Sequence, residues 1–294
     1  MAKWTGKSKG TPLGYQIFIF FIKNIGVRFA YVILAFVAFY YLIFSKEGRE
    51  SGMLYFHKRL GYSKLISIIK VYKNNFVFGQ TIIDKYAIQL GQRDQFTYEF
   101  DGVEILCQLL EEKKGGILIS AHVGNFEIAE FFLSEIDEFS QINLVTTDSE
   151  HKAIKSQFEA ISAKSNVKFI IIKDDMSHIF NINTALSNNE LICFTGDRYF
   201  EGTKTLTANL LGAPAEFPAG PFLIGSRLKV PVVFVYVMKE TSRHYHLYTR
   251  KAEFKNRDAN DLLNQYTKSV SWILNKYPYQ WFNYFDFWGE KTKK

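Results

Sequence analysis

The run Ile117-Leu118-Ile119-Ser120-Ala121-His122-Val123-Gly124-Asn125-Phe126-Glu127 passes from an apolar segment into a polar turn. If residues 117–120 form a buried strand, His122 stands at its carboxyl end. Gly124-Asn125 then makes the turn, and Glu127 enters the first turn of the next helix. This places an imidazole five residues from a carboxylate. A carboxylate that accepts from one ring nitrogen fixes the tautomer and leaves the other free to take a proton from an attacking hydroxyl or amine. Taken alone the spacing is also that of a histidine satisfied by a helix-cap carboxylate with no chemistry attached.

Working outward, β-like segments occupy residues 116–120, 142–146, 167–172, 191–195 and 230–237. Helical stretches lie between them near 126–133, 149–163, 177–187 and 219–228. Short apolar strands alternating with helices predict an α/β domain with a mostly parallel central sheet flanked by helices. Sites in such sheets lie beyond the carboxyl ends of strands. His122 and the Gly196-Asp197-Arg198 turn both take that position. Before the first of these strands, residues 56–92 and 101–110 carry apolar side chains at helical spacing.

The chain has 294 residues and opens with two apolar blocks, 13–22 and 27–44. Eighteen residues at about 1.5 Å each reach roughly 27 Å, just under the ~30 Å hydrocarbon core of a bilayer. Charged residues follow at 46–50 without a small-residue cleavage site, so the block is predicted to remain as an N-terminal membrane-anchor helix over residues 1–45. Lysines flank it on both sides, which favours a helix lying in the cytoplasmic face of a membrane. Aromatic residues make up 17% of the chain, with 28 Phe and 17 Tyr, a surplus suited to a lipid interface. The net charge of +7 favours an anionic leaflet or an acidic protein partner. The basic residues are scattered and no nucleic-acid-binding signature accompanies them, so nucleic acid is not an expected partner. Cys107 and Cys193 lie in apolar stretches without metal spacing and read as reduced core thiols.

Four blocks, in order, carry a resemblance to a known family: His122-Val-Gly-Asn-Phe-Glu127, Phe194-Thr-Gly-Asp-Arg198, Phe217-Pro-Ala-Gly-Pro-Phe222 leading into Val230-Pro-Val-Val-Phe234, and Tyr277-Pro-Tyr-Gln-Trp-Phe282. Together they resemble the late acyltransferases of lipid A biosynthesis, a branch of the lysophospholipid acyltransferase superfamily. The resemblance implies a catalytic domain over residues 46–294. The expected activity is transfer of a fatty acyl group from an acyl carrier protein thioester to a hydroxyl of a lipid acceptor, a lipid A precursor first among them. The expected location is the cytoplasmic face of a bacterial inner membrane. His122 would be the general base and Glu127 its orienting partner. Gly124, Asn125, Asp197, Arg198 and Gly220 would contribute to substrate binding, with the backbone N–H groups of 124–126 candidates for an oxyanion site. A thioester is already activated, so neither metal nor cofactor is expected.

The sequence departs from the family pattern in two places. The stretch 144–152 lacks the usual Tyr-Arg-like element and offers His151 and Lys152 instead. Asn283-Tyr284-Phe285-Asp286 replaces the basic residues that commonly close the last motif. Both departures fall where the acceptor should bind, which leaves open an amino-acid lipid or a hydroxylated pigment lipid as acceptor. A non-catalytic lipid-binding protein and a lipid hydrolase are the readings from other classes. The hydrolase reading lacks a G-x-S-x-G elbow around Ser120.

Overall fold

Every residue of the segment Gly116–Ser120 is buried, as expected of a strand covered on both faces. The computed structural model describes residues 12–129, 131, 141–148, 167–173 and 175–290. In chain order its strands are β1 (Thr97–Asp101), β2 (Gly116–Ser120), β3 (Ile142–Thr146), β4 (Lys168–Ile171), β5 (Leu191–Thr195), β6 (Thr205–Leu210), β7 (Ala213–Pro218), β8 (Val232–Lys239) and β9 (His244–Lys251). Seven of these form one sheet in the order β1-β9-β8-β2-β5-β3-β4, while β6 and β7 pair as a separate antiparallel hairpin. All pairings in the large sheet are parallel except β8 with β9. The chain is therefore α/β with a mostly parallel sheet, and β2 lies at its centre.

The helices are α1 (Pro12–Asn24), α2 (Val27–Phe44), α3 (Lys46–Met53), α4 (Lys64–Gln89), α5 (Val103–Glu111), α6 (Ser177–Ser187), α7 (Ala219–Arg227) and α8 (Ala259–Lys276). One face of the sheet presents Ile117, Ile119, Phe234 and Tyr236 to the main core, which also holds Phe222 of α7 and Leu262, Tyr266 and Val270 of α8. The opposite face places Leu118, Leu191 and Val233 against Leu106 and Leu109 of α5. This alternation is the period-two consequence of the strand pleat.

Strands at 116–120, 142–146 and 191–195 form as predicted, and so does the helix at 177–187. The helix predicted at 149–163 lies outside the described residues, as do His151 and Lys152. Near 126–133 the chain enters a 3-10 turn, Phe126–Ile128, and is helical at Ala129 and Phe131, while the rest of that stretch lies outside the described residues. Strand β9 and helix α8 were not foreseen. The sequence of β9, His-Tyr-His-Leu-Tyr-Thr-Arg-Lys, keeps polar groups on alternate positions and so lacks the continuous apolar run that marked the central strands.

Helix α2 is long and apolar enough to cross a membrane. It also packs along α4, where the Leu34 side chain fills the space beside Gly79 and a Cβ at that position would stand 2.1 Å from Leu34 Cδ1. Val27, Ala30, Tyr31 and Leu34 of α2 share a core cluster with Ile83 and Tyr86 of α4 and with Val237 and Tyr245 of the sheet. Below them lies a buried ion pair, Asp84 with Lys239, in which Asp84 also accepts from the hydroxyls of Tyr31 and Tyr245. A buried pair of this kind persists only when its remaining hydrogen-bonding capacity is satisfied, and here four elements supply the partners. The outward side of α2 stays apolar, with Phe36 73% exposed and Phe29, Val32, Phe39 and Phe44 beside it. Leu65, 72% exposed, continues that surface with Ile66 and Ile69 on α4.

Candidate active site

Parallel pairing of β2 with β5 sets Ser120 opposite Thr195. His122 and Asp197 each stand two residues beyond those partners, so the register alone carries the two side chains to neighbouring points on the carboxyl rim of the sheet. Hydrogen bonds from Gly196 N–H to Ser120 O (2.8 Å) and from Tyr266 Oη to the same oxygen (3.0 Å) hold the strand ends together.

Asp197 is 2% exposed and accepts three hydrogen bonds. His122 Nδ1–H donates to its Oδ1 at 2.7 Å and the His122 backbone N–H to its Oδ2 at 2.9 Å. Asn283 Nδ2 reaches Oδ2 at 3.4 Å. Burial pushes this carboxyl up, but the charge and hydrogen bonds of His122 and the neighbouring Arg198 outweigh it and hold Asp197 below the usual carboxylate value. Nδ1 is thus the ring nitrogen of His122 that faces Asp197.

The carboxylate on His122 Nδ1 is thus Asp197. Glu127, expected as the orienting partner, forms an ion pair with Lys85 of α4. The cause lies in the turn. Gly124 takes a left-handed backbone, φ +60°, and a Cβ there would meet Val237 O at 2.1 Å. The reversal feeds the chain into the 3-10 turn Phe126–Ile128 against α4, which brings Glu127 to Lys85.

The remaining predicted residues divide by environment. Gly124 N–H donates to Gln280 O (2.9 Å) and Asn125 N–H to Val237 O (2.7 Å), so these two groups hold the loop and are not free to bind an oxyanion. The Asn125 amide is buried and donates to Thr81 O and to Tyr245 Oη. Arg198 donates to Asn283 Oδ1 (3.1 Å) and Phe282 O (2.7 Å). Gly220 lies in the first turn of α7 with open space where a Cβ would point. Trp281 is buried against Tyr55, Phe287 and Trp288 in the core. Its backbone forms a bridge with Val123, and Phe282 N–H donates to His122 O at 3.0 Å, so the buried residues 280–283 strap the loop that carries His122.

Next to the histidine, the Phe126 ring stands edge-on to the imidazole with centroids 6.4 Å apart. Phe126 also lines a cleft on the α5 side of the sheet. Leu118, Leu144, Phe169, Val235 and Leu247 make much of its wall, and Lys85 with Glu127 adds charge to it. Cys193 lines the same cleft, and burial pushes its thiol up to about 12, which keeps it protonated and unreactive.

Among the described residues, a histidine backed by a buried aspartate thus stands beside an apolar cleft. The model of the bacterial lipid A biosynthesis acyltransferase family matches residues 73–288. The chain belongs to this family. As a lipid A biosynthesis acyltransferase it is an O-acyltransferase acting on a lipid, and its family is bacterial and membrane-associated. The matched span runs from within α4 through the strap at 280–283, so every contact of His122 and Asp197 described above lies inside it. No individual curated protein matches the sequence.

Proposed function

We propose that this acyltransferase moves a fatty acyl group from an acyl carrier protein thioester to a hydroxyl of a lipid A precursor, with His122 as general base and Asp197 as its orienting carboxylate. The bond from His122 Nδ1 to buried Asp197 carries the reading. It leaves Nε2 to remove the acceptor hydroxyl proton as that oxygen attacks the thioester carbonyl. The C–S bond then breaks, and the proton on Nε2 passes to the departing thiolate. Asp197 stabilises the imidazolium formed in between without itself being protonated.

The apolar cleft suits the acyl chain, since each methylene buried there contributes about 0.8 kcal/mol. Phe126, which touches both His122 and the cleft, sets the thioester beside the base. Glu127 and Lys85 position the 3-10 turn that carries Phe126. The basic charge of the chain favours an acidic carrier protein as donor, and the exposed apolar faces of α2 and α4 favour action at the cytoplasmic surface of the inner membrane.

The test incubates membranes bearing wild type or His122→Ala with labelled acyl carrier protein thioester and the lipid extract of the native host, followed by mass spectrometry of the acylated product. A product made by the wild type and absent from the variant is expected. Substantial turnover by His122→Ala removes the assigned base. Asn283 makes its bonds to Asp197 and Arg198 where relatives commonly carry basic residues, so a product that is an amino-acid lipid or pigment lipid would replace the lipid A precursor and leave the chemistry in place.

A further inference from the structure

Two strands away from His122, next to the edge strand β1, β9 begins His244-Tyr245-His246. Residues two apart on a strand share a face, so both imidazoles project together. Parallel pairing sets Glu99 of β1 opposite His246, and Glu240, just past the end of β8, reaches the same point. One ligand atom from each of Glu99, Glu240 and His246 lies within 4.8 Å of the others. Glu99 Oε1 is 2.8 Å from His246 Nδ1 and 3.7 Å from His244 Nε2, and Glu240 Oε1 is 3.6 Å from His246 Nδ1.

Both ring nitrogens of His246 are cut off from solvent and make no hydrogen bond. Glu99 comes close to Nδ1 but off the direction of a ring N–H. Donors about 2.0 to 2.1 Å from a shared tetrahedral ion stand about 3.3 Å from one another, and each lies to the side of its neighbour's lone pair. The separations here bracket that value.

The surroundings also fix the donors. Thr97 Oγ1 is bound to His244 Nδ1 at 2.8 Å, which leaves Nε2 facing Glu99. The Tyr277 hydroxyl donates to Glu240 and is itself bound to Tyr248 Oη at 2.6 Å, while His246 stacks flat on the Tyr248 ring at 4.1 Å. Lys276 places its Nζ on Tyr248 Oη at 2.5 Å. Such outer contacts hold metal ligands in register.

We propose that Glu99, Glu240 and His246 form a three-residue binding site for a divalent transition-metal ion of the zinc type, with solvent as the fourth donor. Two carboxylates and an imidazole suit a borderline cation better than calcium or magnesium, which take oxygen donors. The ion ties edge strand β1 to the turn between β8 and β9 and so stabilises that edge. It plays no part in the base chemistry at His122.

The experiment uses tag-free full-length protein in detergent, dialysed against zinc and then analysed for metal content, with cobalt as a spectroscopic substitute. One zinc per chain is expected in wild type and in His122→Ala, with the tetrahedral cobalt spectrum and a raised melting temperature. His246→Gln and the exposed-site variant Glu99→Gln should each bind about 100-fold more weakly. Uptake below stoichiometric levels in wild type overturns the site, as does unchanged affinity in both variants or loss of the ion from His122→Ala. Saturation by calcium or magnesium in preference to zinc overturns the assigned class of metal.

Discussion

His122 was legible because its setting is local: a histidine just past a buried strand needs only the apolar run and the turn to be recognised. Its partner was not, although Asp197 was singled out, because the contact depends on β2 and β5 being neighbours while β3 and β4 intervene in sequence. The nearer carboxylate, Glu127, answers to Lys85 instead. This division of roles makes a sharp comparison. Asp197→Asn should lower kcat by about 10² to 10⁴ with KM little changed, since the imidazole loses its tautomer and the stabilisation of its charged form. Glu127→Gln should act mainly by loosening the Phe126 turn, with a smaller fall in kcat and a rise in KM for the acyl donor. Equal losses of kcat with unchanged KM would return Glu127 to the proton-transfer pair. The same Asp197 variant has a pH signature in stability. A carboxylate held below its unfolded value stabilises above the ordinary range and loses that contribution as pH falls through the depressed value. The gap in melting temperature between wild type and Asp197→Asn should therefore be steady above about pH 5 and close below about pH 4.

At the scale of elements, the sequence announced those strands that are buried on both faces and blurred those that are not. β2 and β5 are nearly continuous apolar runs, whereas β1 and β9 lie at and beside an edge and carry His, Glu and Tyr on one face for reasons of the proposed metal site. The hairpin of β6 and β7 alternates small and polar residues and gave no helix or strand signal strong enough to read. The cleft is likewise a product of pairing. Leu144, Phe169, Val235 and Leu247 come from four strands and meet because odd and even positions sort to opposite faces. Chain-length selection is then a property of this wall. Val235→Trp fills the cleft beside Leu118 and should shift the acyl groups accepted towards shorter chains, read by offering a mixed series of thioesters and measuring the product by mass spectrometry. An unchanged chain-length profile, with the variant folded, would move the acyl chain out of this cleft.

For the whole molecule, the question is how a helix apolar enough to span a bilayer can also belong to the enzyme's core. Tyr31 of α2 donates to Asp84, which is paired with Lys239 at the end of β8, and Tyr245, bound to the same carboxylate, accepts from Asn125 in the loop that carries His122. An α2 passing straight through a bilayer on its own would take Tyr31 from that cluster and leave a buried ion pair short of a partner, a loss on the order of 1–3 kcal/mol for the unsatisfied group. A helix lying along α4 with only its outer side in lipid keeps the cluster whole, and the exposed side chains of Leu65, Ile66 and Ile69 then lie in the same interface. Deleting the first 45 residues is consequently a poor test of anchoring, because it removes Ala30 and Leu34 from the core along with the membrane face. Phe36→Glu with Phe39→Glu changes that face alone. The double variant should keep the melting temperature of the wild type in detergent yet lose most of its binding to anionic phospholipid vesicles in a flotation assay. Binding that survives the substitutions would place attachment elsewhere on the surface. A collapse in melting temperature would mean that these rings face protein and not lipid.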